Sequence, residues 1–297
     1  MHCHLPKAGL GNQLFPLLSA YTFGYLNNLP VKVTGYHQFK IGPYLRGEKI
    51  KRNYSNYFRF QKSILGEAID RIQLQTKGWQ KQEEPLLEVV EKGFVNQLYY
   101  FSAIPHWREL FLRVRQHRDI IIRLFYDLLS SDIKKRLEQQ EVPCIGVHIR
   151  MGDFRKLKPG EDFGKVGVVR TAETYFIEII ERIRALHGSV LPVTVFTDGH
   201  LHEFDHLFQL PGVKMAGPNP DIIDLLLLSR SRVIVASVGS TFSYWAGFFS
   251  EAPLIRHPQH LHSFIRPDDV NSHWYEGPIP TDPVPALLSR NIQSIVC

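Results

Sequence analysis

From Cys144 onward the chain alternates short apolar runs with longer segments of helical spacing, and this rhythm constrains the fold more than any single residue. Ile145, Val147 and Ile149 alternate with Gly146, His148 and Arg150 after Pro143, a period of two that predicts a strand over 144–149. Glu173 to His187 carries Phe176, Ile179, Ile180, Ile183 and Leu186 at helical spacing. Strands are further predicted over 193–197, 213–216, 233–236 and, as the last one, 253–256, with helices over 221–229 and 244–250. Strand–helix alternation of this kind implies an α/β fold with a doubly wound parallel sheet, whose ligands bind outside the carboxyl ends of the strands.

The first half repeats the pattern more faintly. Met1 to Leu5 reads as a short strand, and Lys7-Ala8-Gly9-Leu10-Gly11-Asn12-Gln13 as a glycine loop. Leu14, Leu17, Leu18, Tyr21 and Tyr25 then define a helix, with Pro16 expected in its first turn, where a missing N–H is harmless. Gly9 and Gly11 allow a ligand to approach the helix N-terminus closely, although Leu14 stands where a dinucleotide fingerprint has its third glycine. Val31 to Thr34 and Phe94 to Tyr100 are further strands, and 105–137 is mostly helical. Residues 36–82, rich in Tyr, Phe, Arg and Lys, are either an acceptor-binding insertion or an irregular edge. At 297 residues the chain exceeds a usual single core, and the polar run 138–141 before Pro143 marks a boundary between domains 1–141 and 142–297. The Pro- and His-rich tail after His260 is expected to pack irregularly.

Hydrophobic content of 44% and charge of 22% are those of a soluble globular protein. A net charge of +6 favours anionic partners, but no run of Lys and Arg resembles a nucleic-acid tail, so nucleic acid is not an expected partner. Cys3, Cys144 and Cys297 lack metal-ligand spacing; Cys3 and Cys144 lie in strand-like segments and read as buried thiols, which suits a reducing compartment. No apolar run approaches the roughly 18 residues of a membrane span, and the start has no signal-peptide core. A cytoplasmic protein with at most peripheral membrane association is expected. Asn53-Tyr54-Ser55 is a formal glycosylation sequon of the kind that arises by chance.

Three predicted strand ends carry ligand-ready groups: His148 to Arg150, Asp198, and Gly239-Ser240-Thr241. Arg150 can grip two phosphate oxygens at once, or be a solvated arginine at an edge. Asp198 can accept both the ring N–H and the exocyclic amine of guanine, or cap a helix. Ser240 and Thr241 suit phosphate oxygens at a helix N-terminus, or ordinary N-capping. His148 is a base or sugar contact, or a core histidine; Asp153 is a general base, or orients Arg150 or an acceptor hydroxyl. With no Asp-x-Asp triplet and no His pair around a Glu on a helix, the sequence demands no metal.

Gly9-Leu10-Gly11-Asn12-Gln13-Leu14-Phe15, Gly146 to Asp153, Phe196-Thr197-Asp198, Asp224 to Ser229 and Ser240 to Trp245 together resemble, in order and spacing, the bacterial α-1,2-fucosyltransferases of glycosyltransferase family eleven. That family is distantly similar to α-1,6- and protein O-fucosyltransferases, and the resemblance spans residues 5–250. It implies a GT-B fold of two Rossmann-like domains facing a cleft, the first on the acceptor side and the second holding a GDP-sugar. It further implies a GDP-β-L-fucose donor, inversion, a galactose-terminated oligosaccharide acceptor, and neither metal nor cofactor. By the same resemblance Arg150 binds the β-phosphate, His148 and Asp198 the guanosine, and Ser240, Thr241 and Phe242 the diphosphate. Gly11 and Asn12 would contribute from the other domain, with Asn12 facing the reaction centre. Met151 departs from the family, which often has a second arginine there, and Tyr244 replaces a tryptophan. Competing readings are another GDP-sugar transfer such as α-1,6-fucosylation, a catalytically silent nucleotide or glycan binder, and nucleic-acid binding by the basic surface.

Overall fold

Every strand pairing within the two sheets of the protein is parallel. The structure, a computed structural model, describes residues 1–38, 41–45, 54, 56–90, 96–259 and 263–297. Asn53 and Ser55 of the sequon, and the start of the strand predicted from Phe94, lie outside them. Two units divide the chain: residues 1–40 with 52–135, and 41–51 with 136–297. The main division thus falls a few residues ahead of the boundary read from the polar run.

The first unit begins with β1 (His2–His4), α1 (Leu10–Asn27) and β2 (Lys32–Thr34). The short helix α2 (Ile41–Leu45) is grouped with the second unit. Next come α3 (Ile64–Gln75), β3 (Gln80–Glu83), β4 (Gln97–Phe101), α4 (Arg118–Leu128) and α5 (Ser131–Glu138). The sheet order is β2-β1-β4-β3. Helix α1 packs on β1, β4 and α4, so it is buried almost all round from Leu10 to Gly24. It starts earlier than its apolar spacing suggests, which moves Pro16 out of the first turn and into the helix interior. One intrahelical bond is lost there, at a typical cost of about 3 kcal/mol. Burial of Leu14, Phe15, Leu17 and Leu18 around the proline offsets it. Phe15 meets Phe111 edge-on at 5.2 Å, and Phe23 lies 4.7 Å from Tyr99.

The second unit runs β5 (Ile145–Ile149), α6 (Glu173–His187), β6 (Val193–Thr197), β7 (Val213–Met215), α7 (Asp221–Arg230), β8 (Val233–Val235), α8 (Thr241–Phe249), β9 (Leu254–Ile255), α9 (Asp268–Asn271), β10 (Glu276–Gly277) and α10 (Ala286–Gln293). Its sheet order is β10-β9-β8-β5-β6-β7. Read from β7, this is the dinucleotide-fold order, with the reversal between β5 and β8. β5 is buried at every residue, and it lies close to Ser231: a Cβ on Gly146 would come within 2.2 Å of the Ser231 hydroxyl.

Two expectations about the end of the chain are corrected. The strand at 254–255 is not the last, because β10 pairs beside it, and the tail is not irregular: Leu288 and Ile292 of α10 belong to the core. Polar residues organise this segment, which is why apolar periodicity did not reveal it. Arg266, fully buried, donates to the carbonyls of Ala252, Trp274 and Tyr275 at 2.7, 3.0 and 2.9 Å, while Glu276 pairs with Arg256 at 2.8 Å. Cys144 is not a free thiol either. It is disulfide-bonded to Cys297, with the Cα atoms 5.5 Å apart, which removes the free-thiol argument for a reducing compartment; Cys3 remains a buried thiol. Among the described residues no helix is long and apolar enough to cross a membrane.

Candidate active site

β5 lies between β6 and β8 at the point where strand order reverses, so three strand ends converge on one edge of the second sheet. Arg150 follows Ile149 there, and its backbone N–H donates to the Ser237 hydroxyl beyond β8 at 3.2 Å. Its guanidinium bridges two carboxylates: one nitrogen lies 2.5 Å from Asp198 Oδ2, the other 2.5 Å from Asp153 Oδ1. The Phe154 ring lies under the same group, 5.7 Å from Cζ. Asp198 uses its other oxygen to accept the N–H groups of Met151 at 2.8 Å and Gly152 at 3.2 Å. It is a clamp on the turn after β5 as well as a partner of Arg150. Neither the helix cap nor the free base-reading carboxylate of the sequence describes this geometry. Asp198 is buried; Asp153, with 38% of its side chain exposed, is the more accessible of the two acids.

His148 is buried and stacks on Phe242, with ring centres 4.8 Å apart and planes 25° apart. Burial pushes its pKa down to about 3, against the opposing pull of Asp198, so the ring is neutral across the physiological range. Its Nδ1 is buried and has no hydrogen-bond partner among the described residues. Ser240 occupies the N-cap position of α8, but its side chain makes no capping bond, so ordinary capping does not account for it. Thr241 and Phe242 form the first turn of that helix, where the dipole favours an anion. Gly239 has φ +66°, a conformation glycine adopts without strain, and its N–H donates to the Tyr244 hydroxyl at 2.9 Å. The family's tryptophan at that position could not accept this bond, because an indole N–H only donates. Met151 is buried in the core cluster, and a Cβ on Gly199 would lie 2.7 Å from it. A core side chain therefore fills the place of a second arginine.

Gly11 and Asn12 belong to the first unit, in the opening turn of α1. There the Leu10 N–H donates to the Tyr54 hydroxyl at 2.8 Å, and the Gln13 side-chain amide donates to the Pro6 carbonyl at 2.9 Å. The other proposed residues, His148, Arg150, Asp153, Asp198, Ser240, Thr241 and Phe242, all lie in the second unit. Sequence reasoning missed Ser237, fully buried and bonded to the Arg150 backbone, and Thr171, whose hydroxyl accepts the Val238 N–H at 3.2 Å. A buried serine directly after a predicted strand was a usable signal for the first; no pattern marks the second. Among the described residues no three His, Cys, Asp or Glu side chains form a metal-holding group.

The fold is similar to solved fucosyltransferases. The fucosyltransferase NodZ from Bradyrhizobium superposes with a TM-score of 0.52 at 15% identity, over 86% of this chain and 94% of that one. A NodZ α-1,6-fucosyltransferase co-crystallised with GDP gives 0.52 at 16% identity, over 87% and 95%. POFUT1 in complex with GDP gives 0.47 at 13% identity, over 84% and 94%. The fold class is α/β of GT-B type, with a parallel sheet in each of two units. No curated protein matches the sequence. Residues 75–256, which include every second-unit residue of the candidate site, match the family model described as Glycosyl transferase family 11. That match covers more than half of the chain, and the chain belongs to Glycosyl transferase family 11.

Proposed function

We propose that the protein is an inverting fucosyltransferase that moves L-fucose from GDP-β-L-fucose to the 2-hydroxyl of a terminal galactose, without a metal ion. The observation that carries the reading is Arg150, fixed at the switch point of a dinucleotide-type sheet beside the N-terminus of α8. Buried Asp198 holds one side of the guanidinium and the more exposed Asp153 the other. A diphosphate, a stronger multiply charged acceptor, can take over the place of Asp153 while Asp198 keeps Arg150 in position. Asp153, once it gives up Arg150, stands beside the diphosphate and is the proposed general base.

Departure of GDP leaves an oxocarbenium-like sugar and concentrates negative charge on the β-phosphate. Arg150 and the first turn of α8 stabilise that charge where it develops, a contribution that dominates many transfer reactions. Ser240, Thr241 and Phe242 would line the diphosphate, and neutral His148 against Phe242 offers a flat surface beside the guanosine. Metal independence follows from the missing Asp-x-Asp triplet, since Arg150 and a helix N-terminus can supply the compensating charge. Transfer is expected to persist in excess chelator; complete loss that magnesium or manganese ions restore would reject this part of the reading.

The test is incubation with GDP- and UDP-sugars and a panel of galactose-terminated acceptors, read by mass spectrometry and linkage analysis. Transfer from GDP-fucose giving an α-1,2 product is the expected result. An α-1,6 product keeps the donor chemistry and replaces the acceptor assignment. GDP binding with no turnover on any acceptor would leave only a nucleotide-binding protein.

A further inference from the structure

Helix α3 is built inside out. On a helical projection Ile64, Leu65, Ala68, Ile69 and Ile72 fall within one arc of about 140°. Ile64, Leu65, Ile69 and Ile72 are 73%, 71%, 47% and 59% exposed. Glu67 and Asp70 lie on the opposite side and are buried. Glu67 accepts the Gly35 and His37 N–H groups at 2.6 and 3.2 Å and pairs with Arg71 at 2.6 Å. Asp70 pairs with Lys62 at 2.6 Å and Lys32 at 3.1 Å. Surface helices ordinarily turn acids outward and aliphatics inward. Here ion pairs and backbone donors satisfy the inward face, and the aliphatic arc is left facing solvent.

Charge and area select the occupant. Between Arg59 and Lys81 the sequence has five basic residues and two acidic ones, and both acids point inward. The aliphatic arc therefore carries no carboxylate of its own helix, and Lys77 is exposed just beyond its end, while Lys62 and Arg71, also exposed, are each paired with one of the inward acids. A second copy is disfavoured. Two chains of net charge +6 repel, and four side chains fall far short of the roughly 20–30 residues a side of a specific interface. A helix of 12 residues is about 18 Å long, too short to cross a hydrocarbon core but suited to lying in its surface plane.

We propose that α3 docks the protein on an anionic lipid surface. Ile64, Leu65, Ile69 and Ile72 enter the boundary between headgroups and acyl chains, and Lys77, with the local excess of basic over acidic residues behind it, faces the headgroup charge. The assay is cosedimentation with vesicles of phosphatidylcholine alone and of phosphatidylcholine mixed with phosphatidylglycerol. It needs no donor or acceptor, so its outcome is independent of the reaction proposed above. Wild-type protein should bind the mixed vesicles about tenfold better than the neutral ones. The exposed double variant Ile69→Asp/Ile72→Asp should lose about tenfold in binding to mixed vesicles, and Lys77→Glu a smaller factor. Circular dichroism should show both variants folded, and gel filtration should show wild type and variants at the same size. Equal binding to both vesicle types, no binding to either, undiminished binding by the double variant, or a wild-type dimer that the double variant dissociates would each overturn the proposal, the last in favour of a second copy.

Discussion

Each sheet ends at its carboxyl edge in a glycine-containing turn that leads into a helix, and in each a tyrosine hydroxyl accepts a backbone N–H from that turn. Tyr54 serves Leu10 at 2.8 Å in the first unit, and Tyr244 serves Gly239 at 2.9 Å in the second. The backbone solution is shared; the charge around it is not. Leu5 to Leu10 build the first turn, in which Lys7 is exposed, and neither α1 nor α8 has an acidic residue in its opening turn. The second turn is bonded through Ser237 to Arg150, which sits between Asp153 and Asp198. A helix N-terminus at a sheet edge is thus only a possible anion site. In the proposed reaction, Arg150 exchanging Asp153 for a diphosphate is what would set the second turn apart from the first.

The largest effect is expected at Arg150. Lysine keeps the charge but cannot span Asp198 and a diphosphate with one planar fork. Arg150→Lys is expected to lower kcat by about 10²–10³ and to change donor KM less, because the lost contact is strongest in the transition state. Arg150→Ala should lose more activity and some stability as well, since buried Asp198 keeps its two amide donors but loses its cation. Steady-state kinetics with circular dichroism on the same preparations decides. A folded lysine variant of normal kcat would reduce Arg150 to a structural ion pair.

A global effect comes next. His148 has its pKa held near 3 by burial, so between that value and the unfolded value of 6.5 the folded protein binds fewer protons than the unfolded one. The stability this group contributes is full above pH 6.5 and is lost as pH falls toward 3, at up to about 1.4 kcal/mol per pH unit. His2 in the first unit is lowered to about 4, also chiefly by burial, and acts in the same direction. Urea unfolding at several pH values between 7.5 and about 5 should therefore show falling stability, and His148→Gln should flatten the slope. Parallel slopes for the variant and the wild type would show that His148 is not buried neutral in solution.

A smaller effect is expected at Asp198. If it acts by holding Arg150, Asp198→Asn should weaken GDP and ADP alike, by about 1–3 kcal/mol, through a displaced guanidinium. Calorimetric titration with both nucleotides checks this. A loss confined to GDP would mean that the carboxylate leaves Met151, Gly152 and Arg150 to read guanine.

How much of this was legible depended on where apolar residues point. Strands buried on both faces, such as 145–149 and 193–197, and amphipathic helices, such as Glu173–His187, announce themselves. β3, with the sequence Gln-Lys-Gln-Glu and exposed throughout, gives no apolar signal, since an edge strand needs only backbone pairing. Helix α3 defeats the usual reading because its aliphatic face is the outer one. β10 depends on the buried charges of Arg256, Arg266 and Glu276, which look like surface residues in a sequence. In the site, His148, Arg150 and Asp198 stood out because each falls at or just beyond a strand end. That Asp198 is spent on Arg150 and two amides is a matter of side-chain direction, which spacing does not encode. The Cys144–Cys297 pairing, across 153 positions, is equally silent in sequence.

The smallest effect tests the shared device itself. Tyr54→Phe and Tyr244→Phe each remove one hydroxyl that accepts one backbone N–H. The consequences should differ because the two donors differ in burial. Leu10 is 3% exposed, so its orphaned N–H finds no water, and about 1–3 kcal/mol of stability should be lost. Gly239 is exposed, so its N–H can be hydrated and the loss should be nearer 0.5–1.5 kcal/mol. Nucleotide affinity should show the reverse. Loosening the Gly239 turn unsettles Ser240 and Thr241 at the start of α8, so Tyr244→Phe should weaken GDP binding a few-fold, about 1 kcal/mol. Tyr54→Phe, acting on a turn in the other unit from Arg150, should leave GDP affinity unchanged at temperatures where the variant is folded. Denaturant unfolding and GDP titration on both variants give the four numbers needed. A Tyr54→Phe variant that stays folded but loses more GDP affinity than Tyr244→Phe would show that the turn of the first unit, not that of the second, governs the nucleotide.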